Sequence, residues 1–299
     1  MRKVIVTGAN GFIGCSLIRK LLSENVKVFA LDLSFEELRL LVNDNLVLVE
    51  DDLSNVENCI RKISENEFDV FYHLAWRGVN GDNKTDPLIQ IGNIRSAVVA
   101  VGVAKQLKCE KFLCSGTIAE QAVKSLHNLS KTSGGMTYGV AKHCARLILE
   151  TYCKNIDLPF VWMQFSNIYG PKNRTGNLVS YTIDELRKDK NVAFGPANQW
   201  YDFIYIDDLI EAVYRIGFSE NHSDFYFVGS GEMRKLKEYL YEIGTILSKR
   251  DKIKIGERPD DGIVYRKEMF DISTLINDIG SYVSVSFTDG IMRTIYCDK

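Results

Sequence analysis

The 299 residues carry 37 basic and 39 acidic side chains, a net charge of −2, and 45% of the chain is hydrophobic. Near-neutral charge without a basic run argues against nucleic acid or an anionic membrane as partner, and the apolar share is ample for a large core. With a strand opening at once and no apolar segment near about 18 residues, a soluble cytoplasmic protein is expected.

The first stretch, Lys3 to Gly14, reads KVIVTGANGFIG. Val4, Ile5 and Val6 form a β-branched run too short for a buried helix, so it predicts a central parallel strand. Gly8, Gly11 and Gly14 follow in the pattern G-x-x-G-x-x-G, and Phe12, Ile13, Leu17, Ile18, Leu21 and Leu22 then recur at helical spacing. Such a loop between strand and helix lets a pyrophosphate approach free backbone N–H groups. A second strand, 26–31, ends at Asp32, where a carboxylate accepts both hydroxyls of an adenosine ribose and repels a 2′-phosphate. The sequence therefore predicts NAD(H) over NADP(H).

A helix is expected over 35–42 and a strand over 46–50, with Asp52 and Leu53 placed to meet an adenine; Ser54 is a candidate N-cap for the next helix. The strand 70–73 ends at His73, read as structural, and residues 78–87 read as a loop before a long helix, 87–106. A strand over 111–115 carries Ser115, Gly116 and Thr117 at its tip, 122–135 reads as a loop over the site, and a helix spans 138–153. Its predecessor, with Val98, Val99, Val101 and Val103, is unusually apolar, which fits a homodimer surface and also a helix buried within one subunit. With a last strand at 160–165, the alternation predicts an α/β fold, a doubly wound parallel sheet.

Beyond Asn167 the pattern changes: a turn at 169–171, a helix at 178–187, a strand at 203–206 entering an Asp207-Asp208 cap for a helix at 209–216, a strand at 225–228 and a helix at 236–247. We divide the chain into a dinucleotide domain, 1–166, and a smaller α/β substrate lobe, 167–299, with 196–228 returning toward the sheet. Seven cysteines without C-x-x-C spacing predict reduced thiols and no metal site.

Tyr138 and Lys142 stand four residues apart, on one face of a helix. A phenol must lose about three pKa units to act as a base at neutral pH, and a nearby ammonium with a cationic nicotinamide would lower it.

The series TGANGFIG, Asp32, HLA, SGT, YGVAK, NIYGP and YIDDL resembles the extended short-chain dehydrogenase/reductases, and within them the nucleotide-sugar epimerases, dehydratases and ketoreductases. The resemblance implies that Gly8, Gly11, Phe12, Ile13 and Gly14 cradle the pyrophosphate. Asp32, Asp52 and Leu53 would hold the adenosine, and Leu74 and Ala75 would line the cofactor. It also implies that Tyr138 is the acid/base, Lys142 its partner and the nicotinamide-ribose ligand, and Thr117 the catalytic hydroxyl, with Ser115 close behind. Asn167 would touch the sugar nucleotide, and Trp200, Tyr201 and Arg258 are further candidates for it. Three departures stand out. The acidic pair of the dehydratases is Ile118 and Ala119, which argues against elimination. Gly116 interrupts the usual hydroxyl run. The arginines of two further motifs are Gln164 and Tyr201, leaving Arg77, Arg174 or Arg258 for a diphosphate. An NAD-dependent nucleotide-sugar epimerase is expected first, and a reductase of a 4-keto-6-deoxy nucleotide sugar second. A non-catalytic NAD-binding regulator comes last.

Overall fold

The computed structural model describes the chain except residues 42, 129–133, 174–175, 222, 261 and 297–299, and the side chains of 127, 128 and 134. Arg174 thus lies outside the described residues.

The first half alternates strands and helices: β1 (Lys3–Thr7), α1 (Phe12–Ser23), β2 (Lys27–Asp32), β3 (Leu46–Glu50), α2 (Val56–Lys62), β4 (Val70–His73), α3 (Pro87–Gln106), β5 (Lys111–Thr117), α4 (Ala119–Ala122), α5 (Gly134–Asn155) and β6 (Phe160–Phe165). The second half adds β7 (Asn167–Tyr169), α6 (Leu178–Arg187), β8 (Val192–Phe194), β9 (Trp200–Tyr201), β10 (Phe203–Tyr205), α7 (Ile206–Phe218), β11 (Phe225–Val228), β12 (Arg234–Lys235), α8 (Leu236–Ile246), β13 (Ile253–Ile255), α9 (Ser273–Ile279) and α10 (Phe287–Tyr296). Seven strands form one parallel sheet in the order β11-β6-β5-β4-β1-β2-β3. Its inner strands are buried on both faces, which is why they read as continuous apolar runs. One face carries a core built on Leu17, Leu113, Met163, Leu209 and Leu240, and the other one built on Phe29, Phe71, Phe112, Leu149 and Trp162.

Strand order reverses between β1 and β4, so the loops after those strands part and leave a crevice at the carboxyl end of the sheet. Smaller pairs, β10 with β7, β12 with β9 and β13 with β8, stand beyond it. Asp202 joins this region to the sheet. Its buried carboxylate accepts from Ser230 N at 3.1 Å and Gly231 N at 2.9 Å, and its carbonyl accepts from Ser166 Oγ at 2.7 Å.

Several local expectations are corrected. The helix expected over 35–42 is absent over its described residues, 35–41, where there is only a 3-10 turn at Leu38–Leu40, because among them Phe35 and Leu38 alone are buried and Leu40 is 82% exposed. Asn55, not Ser54, caps α2, accepting from Asn58 N at 2.9 Å. The loop expected over 122–135 is helical where it is described, α4 leading into a 3-10 turn over Val123–Asn128 and α5 starting at Gly134, and its residues 129–133 lie outside the described residues. Only a glycine at 139 lets α4 lie so close on α5, since a Cβ there would strike the Ala119 carbonyl. α7 begins at Ile206, and Asp208 does not cap it: its carboxylate accepts instead from Ser284 N, Ser284 Oγ and Val285 N at 2.8–3.1 Å. Contrary to expectation, α3 is long and apolar enough by composition to cross a membrane. Here it is a packed helix, with Ala97, Ala100, Val101 and Ala104 buried, and Val98 and Val99 packed on the same core.

Candidate active site

The crevice is a cleft of about 1110 Å³. Its walls bring together Gly8, Gly11, Phe12, Ile13, Gly14, Asp32, Asp52, Leu53, Leu74, Ala75, Thr117, Tyr138, Asn167 and Tyr201. Four other sequence candidates, Lys142, Ser115, Trp200 and Arg258, are not among its lining residues.

The glycine loop shapes the floor. Gly8 has φ +68°, and a Cβ there would lie 2.7 Å from Ala75 N, so only glycine lets β1 and the β4 tip come this close. A Cβ on Gly14 would strike the Gly8 carbonyl. No side chain caps α1, whose N-cap is Gly11, and no acid stands in its first turn. That leaves its first amides to an anion. Asp32 is aimed from the tip of β2 by Asn10 N, 2.8 Å from Oδ2, and Leu33 N, 2.7 Å from Oδ1. A loop with no room for side chains, an uncapped helix start and a fixed carboxylate fit a dinucleotide. Leu53 lies buried at φ +54°, held by its N–H to Asp51 Oδ1 at 2.7 Å, while Asp52 Oδ1 accepts from Ser54 N at 2.9 Å.

The chemistry-bearing wall is built from β5, α4 and α5. β5 runs two residues further than expected, pairing through Thr117 with Phe165. Tyr138 is part-buried and lines the cleft together with Thr117. Burial pushes this phenol above its usual range, and Glu120 adds to the rise while Thr117 opposes it. The expected ammonium contact is differently arranged. Lys142, 2% exposed, donates to Ser115 O at 2.6 Å and lies 3.9 Å from the Trp76 ring centre. Burial lowers its pKa, with Cys114 and Glu120 opposing. The ammonium over the Tyr138 ring is Lys84, 5.0 Å from the centroid. His73 is structural, as expected. It is buried, paired through Nδ1 with Thr7 Oγ1 at 2.9 Å, and held neutral, its pKa pushed down to about 3 by burial and then by Lys142.

The far end of the cleft holds Asn167, whose Oδ1 accepts from Tyr201 Oη at 3.1 Å and whose Nδ2 donates to Asp202 O at 3.1 Å. Trp200 stands outside, under Lys235 Nζ at 3.9 Å, and Arg258 is exposed, donating to Tyr181 Oη at 3.2 Å. Sequence reasoning missed Lys84 and gave Asn93 no role. Asn93 clamps Arg77, accepting from its N–H and donating to its carbonyl, both at 2.8 Å; Gln90 holds Trp76 Nε1 at 2.8 Å and the Gly78 carbonyl at 2.9 Å. A buried Gln and Asn one turn apart on an apolar helix were the available signal.

Fold and site thus define a dinucleotide-dependent enzyme of the extended short-chain dehydrogenase/reductase class. The model of the NAD dependent epimerase/dehydratase family matches residues 4–229, and the chain belongs to that family. It is 24% identical over 306 residues to a putative UDP-glucose 4-epimerase of Methanocaldococcus jannaschii, covering 98% of this chain and 97% of that one. It is 23% identical over 307 residues to the dTDP-4-dehydro-6-deoxyglucose reductase of Escherichia coli, at 98% and 96% coverage. Among solved structures, the UDP-glucose 4-epimerase of Thermotoga maritima shares the fold, with a TM-score of 0.81, 18% identity and 98% and 97% coverage.

Proposed function

We propose that the protein is an NAD-dependent nucleotide-sugar epimerase in which Tyr138 moves a proton at a sugar hydroxyl. The observation that carries the reading is that Thr117 and Tyr138 line the wall of the same cleft whose floor is the glycine loop. Gly8, Gly11 and Gly14 with the start of α1 hold the pyrophosphate, Asp32 the adenosine ribose, Asp52 and Leu53 the adenine, and Lys142 the nicotinamide ribose. When bound, NAD supplies a reversible hydride acceptor. Tyr138 takes the hydroxyl proton and later returns it, and Thr117 holds the same oxygen by a hydrogen bond that fixes its place relative to the phenol. Asn167 and Tyr201 bind the sugar nucleotide, and Arg77 and Lys84 bring the positive charge its diphosphate needs. Ile118 and Ala119 cannot transfer protons, so elimination is not part of the reaction. Asp32 repels a 2′-phosphate, so NADP binds more weakly than NAD.

A second reading, one-way reduction of a keto nucleotide sugar by the same residues, is favoured by the full-length similarity to the reductase of Escherichia coli. Incubation with a panel of nucleotide sugars, with and without NADH, separates the two. Interconversion of two sugars without net NADH loss supports the epimerase, and mole-for-mole NADH loss with a keto sugar rejects it. We further propose a soluble cytoplasmic homodimer joined through α3 and α5, where Leu88, Ile91, Leu147 and Ile148 are 77%, 61%, 53% and 45% exposed. Sedimentation of Leu88→Glu/Leu147→Glu as a monomer, against a wild-type dimer, tests it.

A further inference from the structure

Glu120 is 3% exposed and lies behind the catalytic wall, outside the cleft. Its carboxylate meets only donors. Oε1 accepts from Thr117 N at 2.7 Å, both oxygens accept from Trp162 Nε1 at 3.1–3.2 Å, and Oε2 accepts from Gln164 Nε2 at 3.1 Å. An acceptor-only set is satisfied by an ionised carboxylate. Two departures in the sequence belong to the same unit. A Cβ at Gly116 would lie 2.7 Å from Glu120 Oε1 and collide with Trp162 Nε1, so glycine there makes the room the carboxylate occupies. Gln164, where the resembled motif has arginine, donates to the same carboxylate and leaves its charge free to act on Lys142.

We infer that Glu120 is a positioning residue for the catalytic wall: it anchors the end of β5 that presents Thr117, and it is the fixed counter-charge of Lys142. The inference rests on the roles proposed above for Thr117, Tyr138 and Lys142. The ionisable groups facing this pair are Tyr138 from α5, Cys114 from β5 and His73 from β4. Burial raises the pKa of Cys114 to about 12 and lowers that of His73 to about 3, so both stay neutral near pH 7. Burial also raises the Glu120 pKa, against the three donors and Lys142. The carboxylate in turn supports the Lys142 cation and disfavours a Tyr138 phenolate, so its removal lowers the pKa of both.

Glu120→Gln isolates the charge. The new amide oxygen still accepts from Thr117 N and Trp162 Nε1. Its NH₂ donates to a flipped Gln164, whose own NH₂ then donates, once the Gln121 amide has flipped too, to Gln121 Oε1, an atom now without a partner among the described residues. In carbon-13 lysine-labelled protein, with the Lys142 resonance assigned through Lys142→Met, we expect E120Q to lower the Lys142 titration midpoint by about 0.5–1 unit. Both limbs of the pH–rate profile move toward acid with it. Glu120→Asp keeps the charge but is one methylene shorter and cannot reach every donor. It should keep the wild-type midpoint and profile while kcat falls about tenfold and KM stays put. An unmoved Lys142 midpoint in E120Q overturns the inference, as does E120D turning over at the wild-type rate. If E120Q is recovered unfolded, the E120D result decides. Wild-type protein that turns over no nucleotide sugar overturns the proposed function, while the titration, which needs no substrate, still judges the pairing.

Discussion

The two ends of the cleft are specified in different ways. At the dinucleotide end the determinants are backbone: glycines that admit no Cβ, an uncapped helix start, and one carboxylate aimed by two amides. At the end proposed for the sugar they are side chains from β7 and β9, joined by the Tyr201–Asn167 hydrogen bond, and from the 3-10 turn Asp82–Lys84, held by Gln90 of α3. Backbone geometry tolerates almost no substitution, whereas a side-chain wall can be rebuilt residue by residue. Gln164 and Tyr201 stand where the resembled motifs have arginine; Tyr201 lines the far end of the cleft, whereas Gln164 is buried behind the catalytic wall against Glu120.

The largest expected effect lies where the two ends meet. Tyr138→Phe keeps the ring and the packing but removes the hydroxyl to which the proposed function gives the proton transfer. We expect kcat to fall about 10²–10⁴-fold with NAD affinity unchanged, read by steady-state kinetics and calorimetry. Equal losses in both quantities would break the division between the ends.

Gly8→Ala attacks the dinucleotide end alone. A side chain at φ +68° costs about 1–2 kcal/mol, and its Cβ would press on Ala75 N. NAD affinity should fall at least about tenfold, with a lower melting temperature. An unchanged NAD affinity would remove the glycine cradle from the argument.

His73 sharpens the same end through pH. Its folded pKa of about 3 lies below the unfolded value of about 6.5, so below pH 6.5 the unfolded chain takes up a proton the folded chain refuses. Stability present above that pH is lost as pH falls, by about 2 kcal/mol at pH 5. His73→Asn should remove that slope, measured as the difference between the urea-unfolding free energies of wild type and variant from pH 7 to pH 5. Parallel pH dependences would mean the ring is not held neutral.

How far each end could be read from sequence follows the same division. The strand, glycines and helix of residues 3–23 are contiguous, so their period and spacing give the cradle directly, and Tyr138 and Lys142 share one helix face. Glu120 was not legible, since its partners Trp162 and Gln164 are 42 and 44 residues away and its burial depends on a glycine at 116. Lys84 was missed because a polar loop hides which of its residues turns inward. Gln90 and Asn93 decide that from another element. Trp200 looked equal to Tyr201 because the two are adjacent, yet alternation along a two-residue strand sends only Tyr201 to the cleft.

The smallest effect tests the sugar end by itself. Tyr201 Oη donates to Asn167 Oδ1 at 3.1 Å, and Asn167 Nδ2 is held by the Asp202 carbonyl, so the amide is oriented from both sides. Tyr201→Phe removes one of those constraints and leaves the ring tilted against Phe203, 5.0 Å between centroids. A neutral hydrogen bond of this kind contributes about 0.5–1.5 kcal/mol, so KM for the nucleotide sugar should rise about two- to tenfold. NAD affinity and the kcat pH profile should stay as they are, because the bond being removed joins Tyr201 to Asn167, which is held in turn by Asp202. Asn167→Ala in the Tyr201→Phe background should then add less than it does in wild type, since the two side chains act through one contact. Full additivity would show that Tyr201 and Asn167 meet the substrate separately, and the sugar end would have to be divided again.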